Sequence, residues 1–206
     1  CTTVSTDTDP LSCTVDNLDN GTAYTFTVVA TNAAGDSEAD TSDPVTPRTV
    51  PDAPPSVKAS PENLGAEVSW QEPDENGSAI TDYTVTATPA DPANPAGSCT
   101  TVSTDTDPLS CTVGNLVNGA AYTFAVVALN AAGNSQAATS AAATVTPRTT
   151  PGRPTAVIAE VDDGKVTVGW KAPGNSGGSA ITGYTVTATL VDSSVVVSTC
   201  TTVSTD

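Results

Sequence analysis

Along this chain hydrophobic and polar residues alternate. In YTFAVVALN (122–130), Tyr122, Phe124, Val126 and Ala128 share one face. In DYTVTAT, Tyr83, Val85 and Ala87 point one way, and Thr84, Thr86 and Thr88 the other. AEVSW does the same with Ala66, Val68 and Trp70. A period of two is the signature of a half-buried β-strand, because successive side chains leave opposite faces. Thr and Val dominate these runs, as β-branched residues do on a pleated, half-covered surface. Turn formers separate them, in PDENGSA, PADPANPAG and NAAGNS. No segment carries an apolar stripe at helical spacing. Short strands at this spacing over about a hundred residues predict an all-β fold, a two-sheet antiparallel sandwich.

The pattern also repeats. Cys1–Gly35 and Cys99–Gly133 share thirty identities in thirty-five positions at an offset of 98. AEVSWQEP (66–73) returns as VTVGWKAP (166–173), and GSAITDYTVTAT (77–88) as GSAITGYTVTAT (178–189). One unit of about a hundred residues therefore recurs. The expected division is a back half at 1–48, a complete unit at 50–148 and a front half at 150–206. The chain reads as a window on a longer tandem array. It carries no initiator Met and no signal peptide, which implies a missing true N-terminus.

The aromatic and aliphatic landmarks resemble those of the fibronectin type III family, and the resemblance covers essentially the whole chain. It rests on Trp70 and Trp170 on the second strand and Tyr83 and Tyr184 on the third. Leu116 with Tyr122, and Leu18 with Tyr24, match the family's corner pair, six residues apart. Asn130 or Asn32 ends the sixth strand, and Thr146–Arg148 or Thr46–Arg48 forms a TPR exit. The resemblance implies an immunoglobulin-like antiparallel β-sandwich with these residues as structural core. It implies that the corner tyrosine packs its ring while its hydroxyl finds a backbone partner.

Five cysteines fit this frame. Cys99 and Cys111 stand twelve apart, flanking an Asp/Thr/Pro turn, and Cys1 and Cys13 repeat the arrangement. The reading is two disulfides, with free structural thiols as the alternative. A zinc site needs four ligands at shorter spacing, and the chain contains no His. Cys200 matches Cys99, and its partner would fall beyond the last residue, so it is expected to be free. Bridges of this kind resemble those in repeated domains of secreted bacterial proteins and imply an oxidising compartment.

Composition removes further classes. A net charge of −17, with only six scattered basic residues, leaves no surface for nucleic acid or for an anionic membrane. No apolar run approaches the ~18 residues of a membrane span. No paired-carboxylate, nucleophile or phosphate-loop motif stands out, so no enzyme is expected, and no cofactor. Asp105 and Asp107, like Asp7 and Asp9, form a D-x-D in the hairpin between the cysteines. Calcium is the functional reading there, and a solvated acidic turn the plainer one. Asn20-Gly-Thr and Asn76-Gly-Ser match the N-glycosylation pattern. All eight aromatics fall on inward strand positions, leaving none in a loop to stack on sugar.

The expected function is a non-catalytic spacer or interaction scaffold in a secreted or cell-surface protein, extracellular and of bacterial type. Its partners are neighbouring domains of the same longer chain. The alternatives are an accessory region of an extracellular carbohydrate-active enzyme and part of an adhesin, with a protein or glycan partner. Prolines at 47, 51, 54 and 55 favour stiff joints between units.

Overall fold

The computed structural model describes residues 11–102 and 109–203, and among these every regular element is a β-strand. Four two-residue strands come first: β1 Thr27–Val28, β2 Thr31–Asn32, β3 Gly35–Asp36 and β4 Asp40–Thr41. Eight follow in the central unit: β5 Lys58–Glu62, β6 Gly65–Ser69, β7 Ile80–Pro89, β8 Gly97–Val102, β9 Ser110–Val113, β10 Tyr122–Asn130, β11 Gly133–Asn134 and β12 Ala138–Thr139. The last four are β13 Thr155–Asp162, β14 Lys165–Lys171, β15 Gly183–Thr189 and β16 Val196–Val203.

The central strands make two sheets. One is three-stranded in the order β5-β6-β9; the other is five-stranded, with β11 and β12 both beside β10, then β7 and β8. All pairings are antiparallel. Alternation sets which residues face inward. Along β7, Ile80, Tyr83, Val85 and Ala87 are buried between exposed threonines, and along β10 Tyr122, Phe124, Val126 and Ala128 are fully covered. Ala66, Val68, Trp70 and Val113 answer them from the other sheet. Burying a Val or Phe side chain contributes roughly 1.5–3 kcal/mol, so this one cluster supplies most of the unit's stability.

The flanking strands reproduce parts of the same pattern. β1 pairs β4 with Thr27 opposite Thr41, as β10 pairs β12 with Ala125 opposite Thr139. β15 pairs β16 with Val186 opposite Cys200, as β7 pairs β8 with Val85 opposite Cys99. β13 and β14 stand in the place of β5 and β6. Their apolar residues are not covered: Val28 is 71% exposed where its counterpart Val126 is 0%.

Candidate functional site

The tyrosine corner lies where the sequence places it. Tyr122 is fully buried, and its hydroxyl oxygen accepts the backbone N–H of Val117 at 3.1 Å. Leu116 packs beside it and donates its own N–H to the Leu64 carbonyl. Tyr24 repeats the bond, accepting from the Asp19 N–H at 3.0 Å, with Leu18 half-buried alongside. Each corner holds a following Asn-Gly turn in place, Asn118-Gly119 and Asn20-Gly21.

Trp70 and Tyr83 meet in the core with ring centroids 5.2 Å apart and planes tilted by 47°. Trp170 and Tyr184 hold nearly the same arrangement, 5.3 Å and 55°, but both rings are half-exposed. The Trp70 Nε1 and the Tyr83 hydroxyl are buried without a hydrogen-bond partner among the described residues. Burial, reinforced by the carboxylates of Glu72 and Glu75, pushes the Tyr83 phenol from 10.0 up to about 12. It is a core group held neutral.

Cys99 and Cys111 are joined by a disulfide, with Cα atoms 6.4 Å apart. The sequence suggested a hairpin between them, but they belong to different sheets. Cys99 lies on β8, the outer strand of the five-stranded sheet, and Cys111 on β9, the outer strand of the other. The chain crosses from sheet to sheet between them, so the bond clips the two layers together along one open side. Cys13 is also disulfide-bonded; its expected partner, Cys1, lies outside the described residues. Cys200 is free and exposed.

Asp7, Asp9, Asp105 and Asp107 lie outside the described residues. Among those described, no group of three or more His, Cys, Asp and Glu side chains could hold a metal ion. The Asp162 carboxylate pairs with Lys165 at 2.9 Å on an exposed turn, and that hydrogen bond lowers its pKa. An open groove of about 790 Å³ runs between the Asn20-Gly21 turn and the 72–79 loop. Its walls are Gly, Ser, Ala, Pro and the acids Glu72, Asp74 and Glu75, with no aromatic side chain. Within that loop the Asn76 amide nitrogen is engaged, donating to the Val50 carbonyl and to Asp52 Oδ1, each at 3.0 Å. Attaching a glycan there would replace one of the two N–H donors and so break one of these bonds.

Asn130 has a role that its position at a strand end only hinted at. Buried to 3% exposure, its amide nitrogen lies 2.9 Å from the carbonyl of Thr49, 3.0 Å from that of Glu75 and 3.2 Å from that of Ser78. Its Oδ1 accepts the Ala132 N–H. One side chain thus ties the entering segment, the 72–79 loop and the turn after β10 together. The buried amide meets its hydrogen-bonding needs with these carbonyls.

This two-sheet sandwich, with its tyrosine corner and its Trp–Tyr core, defines an immunoglobulin-like β-domain. Residues 52–146 match the model of the fibronectin type III domain, and this stretch is a domain of that family. Titin of Drosophila melanogaster is 32% identical over an alignment of 188 residues that covers 86% of this chain. The chain spans only 1% of that relative's length. Among solved structures, domains d3–d4 of rat CD45 are 19% identical, with a TM-score of 0.45, covering 68% of this chain and 71% of theirs. The FN5 domain of Drosophila Lar is 28% identical, with a TM-score of 0.37, covering 50% of this chain and 100% of its own.

Proposed function

We propose that this chain is a non-catalytic spacer and interaction scaffold in a secreted or cell-surface protein. It is a segment of a tandem array: the back half of one repeat at 1–48, a complete repeat at 50–148 and the front half of another at 150–206. The observation that carries this is where the chain spends its aromatic residues. Every Trp, Tyr and Phe is buried or half-buried on the sandwich strands and their corners, and the loops at the ends are small and acidic. Stacking on sugars or on nucleic-acid bases needs exposed rings, and interaction hot spots favour Trp, Tyr and Arg. The inter-sheet disulfide supports export, because such bonds persist in oxidising compartments.

The test is retention of the chain on cellulose, chitin, xylan and DNA at physiological salt. No retention is expected on any of them. Retention on an insoluble glycan that a soluble sugar abolishes would replace the spacer with a binding module.

A further inference from the structure

The two joints between repeats share three backbone hydrogen bonds. At the first, the Gly21 N–H donates to the Pro47 carbonyl at 3.0 Å; at the second, Gly119 donates to Pro147 at 2.9 Å. These bonds hold the exit segment to the repeat it leaves. Two residues on, the grip passes to the next repeat. The Thr49 N–H donates to the Asn76 carbonyl at 3.1 Å, and Thr149 to Gly177 at 2.8 Å. Asp52 bonds Asp74 and Gly152 bonds Asn175 in the same order. Between the two grips stands a single residue, Arg48 or Arg148, and the Arg148 N–H is itself bonded to the Glu62 carbonyl at 3.1 Å. A chain clamped on both sides of one residue has little freedom to swivel.

Across each joint two glycines lie back to back, all four at positive φ: Gly21 +83° against Gly77 +86°, and Gly119 +87° against Gly178 +89°. A Cβ on Gly77 would overlap the Gly21 backbone nitrogen and stand 2.6 Å from the Pro47 oxygen. A Cβ on Gly178 would stand 2.5 Å from the Gly119 nitrogen and 2.8 Å from the Asn118 carbonyl carbon. A left-handed turn alone calls for glycine in such loops. The contact with the neighbouring repeat excludes any side chain a second time.

We propose that the Asn-Gly turn within each tyrosine corner and the facing glycine of the next repeat, Gly77 in the 72–79 loop and Gly178 at the matching place, form a repeat-to-repeat interface. Its partner is the next copy of this same unit, and it sets one fixed angle between successive repeats. This deepens the scaffold reading and rests on it: the spacer is stiff because its joints are packed and bonded, with the prolines assisting.

The experiment is nuclear magnetic resonance of the isotope-labelled 206-residue chain, raised in concentration until amides in 155–203 exchange slowly. Cross-peaks are expected between the Hα protons of Gly21 and Gly77 and between those of Gly119 and Gly178. Amides in 155–203 should tumble in step with those in 57–145. In Gly178→Val the second contact and the common tumbling are lost, while the Gly21–Gly77 cross-peak remains. Gly164→Val imposes comparable backbone strain at +66° in open space and leaves both contacts intact. Absence of both cross-peaks from the native chain at every concentration would overturn the interface. So would common tumbling retained in Gly178→Val. Neither result touches the glycan and DNA test, which judges the spacer reading separately.

Discussion

The Trp70–Tyr83 pair and the Trp170–Tyr184 pair have almost the same geometry and different surroundings. The rings sit 5.2 and 5.3 Å apart, yet Trp70 is 5% exposed while Trp170 stands half in solvent. Ring placement is therefore a property of the strands that carry the rings. Burial is a property of the strands that come later, because β9 and β10 cover the central pair and 155–203 holds no counterpart of either. The first flank shows the converse. Tyr122–Asn130 is one nine-residue strand because β7 pairs along its length. The matching stretch, Tyr24–Asn32, is broken into β1 and β2, which survive only where β3 and β4 pair with them. Near-identical sequence gives a continuous strand or two fragments according to what lies beside it. Isolated two-stranded hairpins are marginal in water.

The largest expected break in that comparison comes from the tryptophans. Trp70→Ala removes a buried ring and should cost about 3–5 kcal/mol in the main unfolding transition. Trp170→Ala should shift the same transition by less than about 1 kcal/mol, since half-exposed sites outside the core contribute little. Calorimetric melting of both variants decides it; equal losses would mean the flank shares the central core.

Next comes the inter-sheet clip. Replacing both Cys99 and Cys111 with Ala should lower stability by about 3 kcal/mol, the loop-closure value for a ring of about thirteen residues. Cys200→Ala should change nothing, and thiol titration of the denatured, unreduced chain should find one thiol, that of Cys200.

Alkali sharpens the contrast through Tyr83. Its phenol is raised from 10.0 to about 12 in the fold, so the unfolded chain loses this proton first. Stability is then independent of this group below about pH 10 and falls between pH 10 and 12, by about 3 kcal/mol in all. Denaturant titrations at pH 9 and 11.5 measure the fall, and Tyr83→Phe should remove this component.

The smallest effect separates two tyrosines of the family pattern. Tyr122→Phe strands the Val117 N–H and should cost about 1 kcal/mol, whereas Tyr83→Phe deletes an unpartnered buried hydroxyl and should cost nothing or stabilise. Urea midpoints at neutral pH distinguish them.

Local pattern carried most of the fold. The alternation at Tyr83–Ala87 and Tyr122–Ala128 marked the inward faces correctly, because a strand's period of two follows from backbone geometry alone. The Leu116–Tyr122 spacing marked the corner, whose bond to Val117 spans only five residues. Relations between distant segments were not legible. Nothing in the spacing of Cys99 and Cys111 says that they stand on different sheets, since sheet membership depends on partners far along the chain. The carbonyls that Asn130 binds are up to 81 residues away. The joint glycines had one visible trace: Asn-Gly recurs at 20–21, 76–77 and 118–119. The pair reads as a turn signal, and only the folded chain shows which turns touch.

We propose that one complete sandwich is flanked by two halves, which a neighbouring repeat would cover. Hydrogen exchange mapped along the chain at low and high protein concentration tests it most directly. In dilute solution, slow amides should be confined to 57–145, with 11–48 and 155–203 exchanging freely. On concentration, protection should spread to both flanks together, as the tail of one molecule covers the head of the next. Flanks protected equally in dilute solution would mean that they cover each other within one chain, and the division into a whole and two halves would fall.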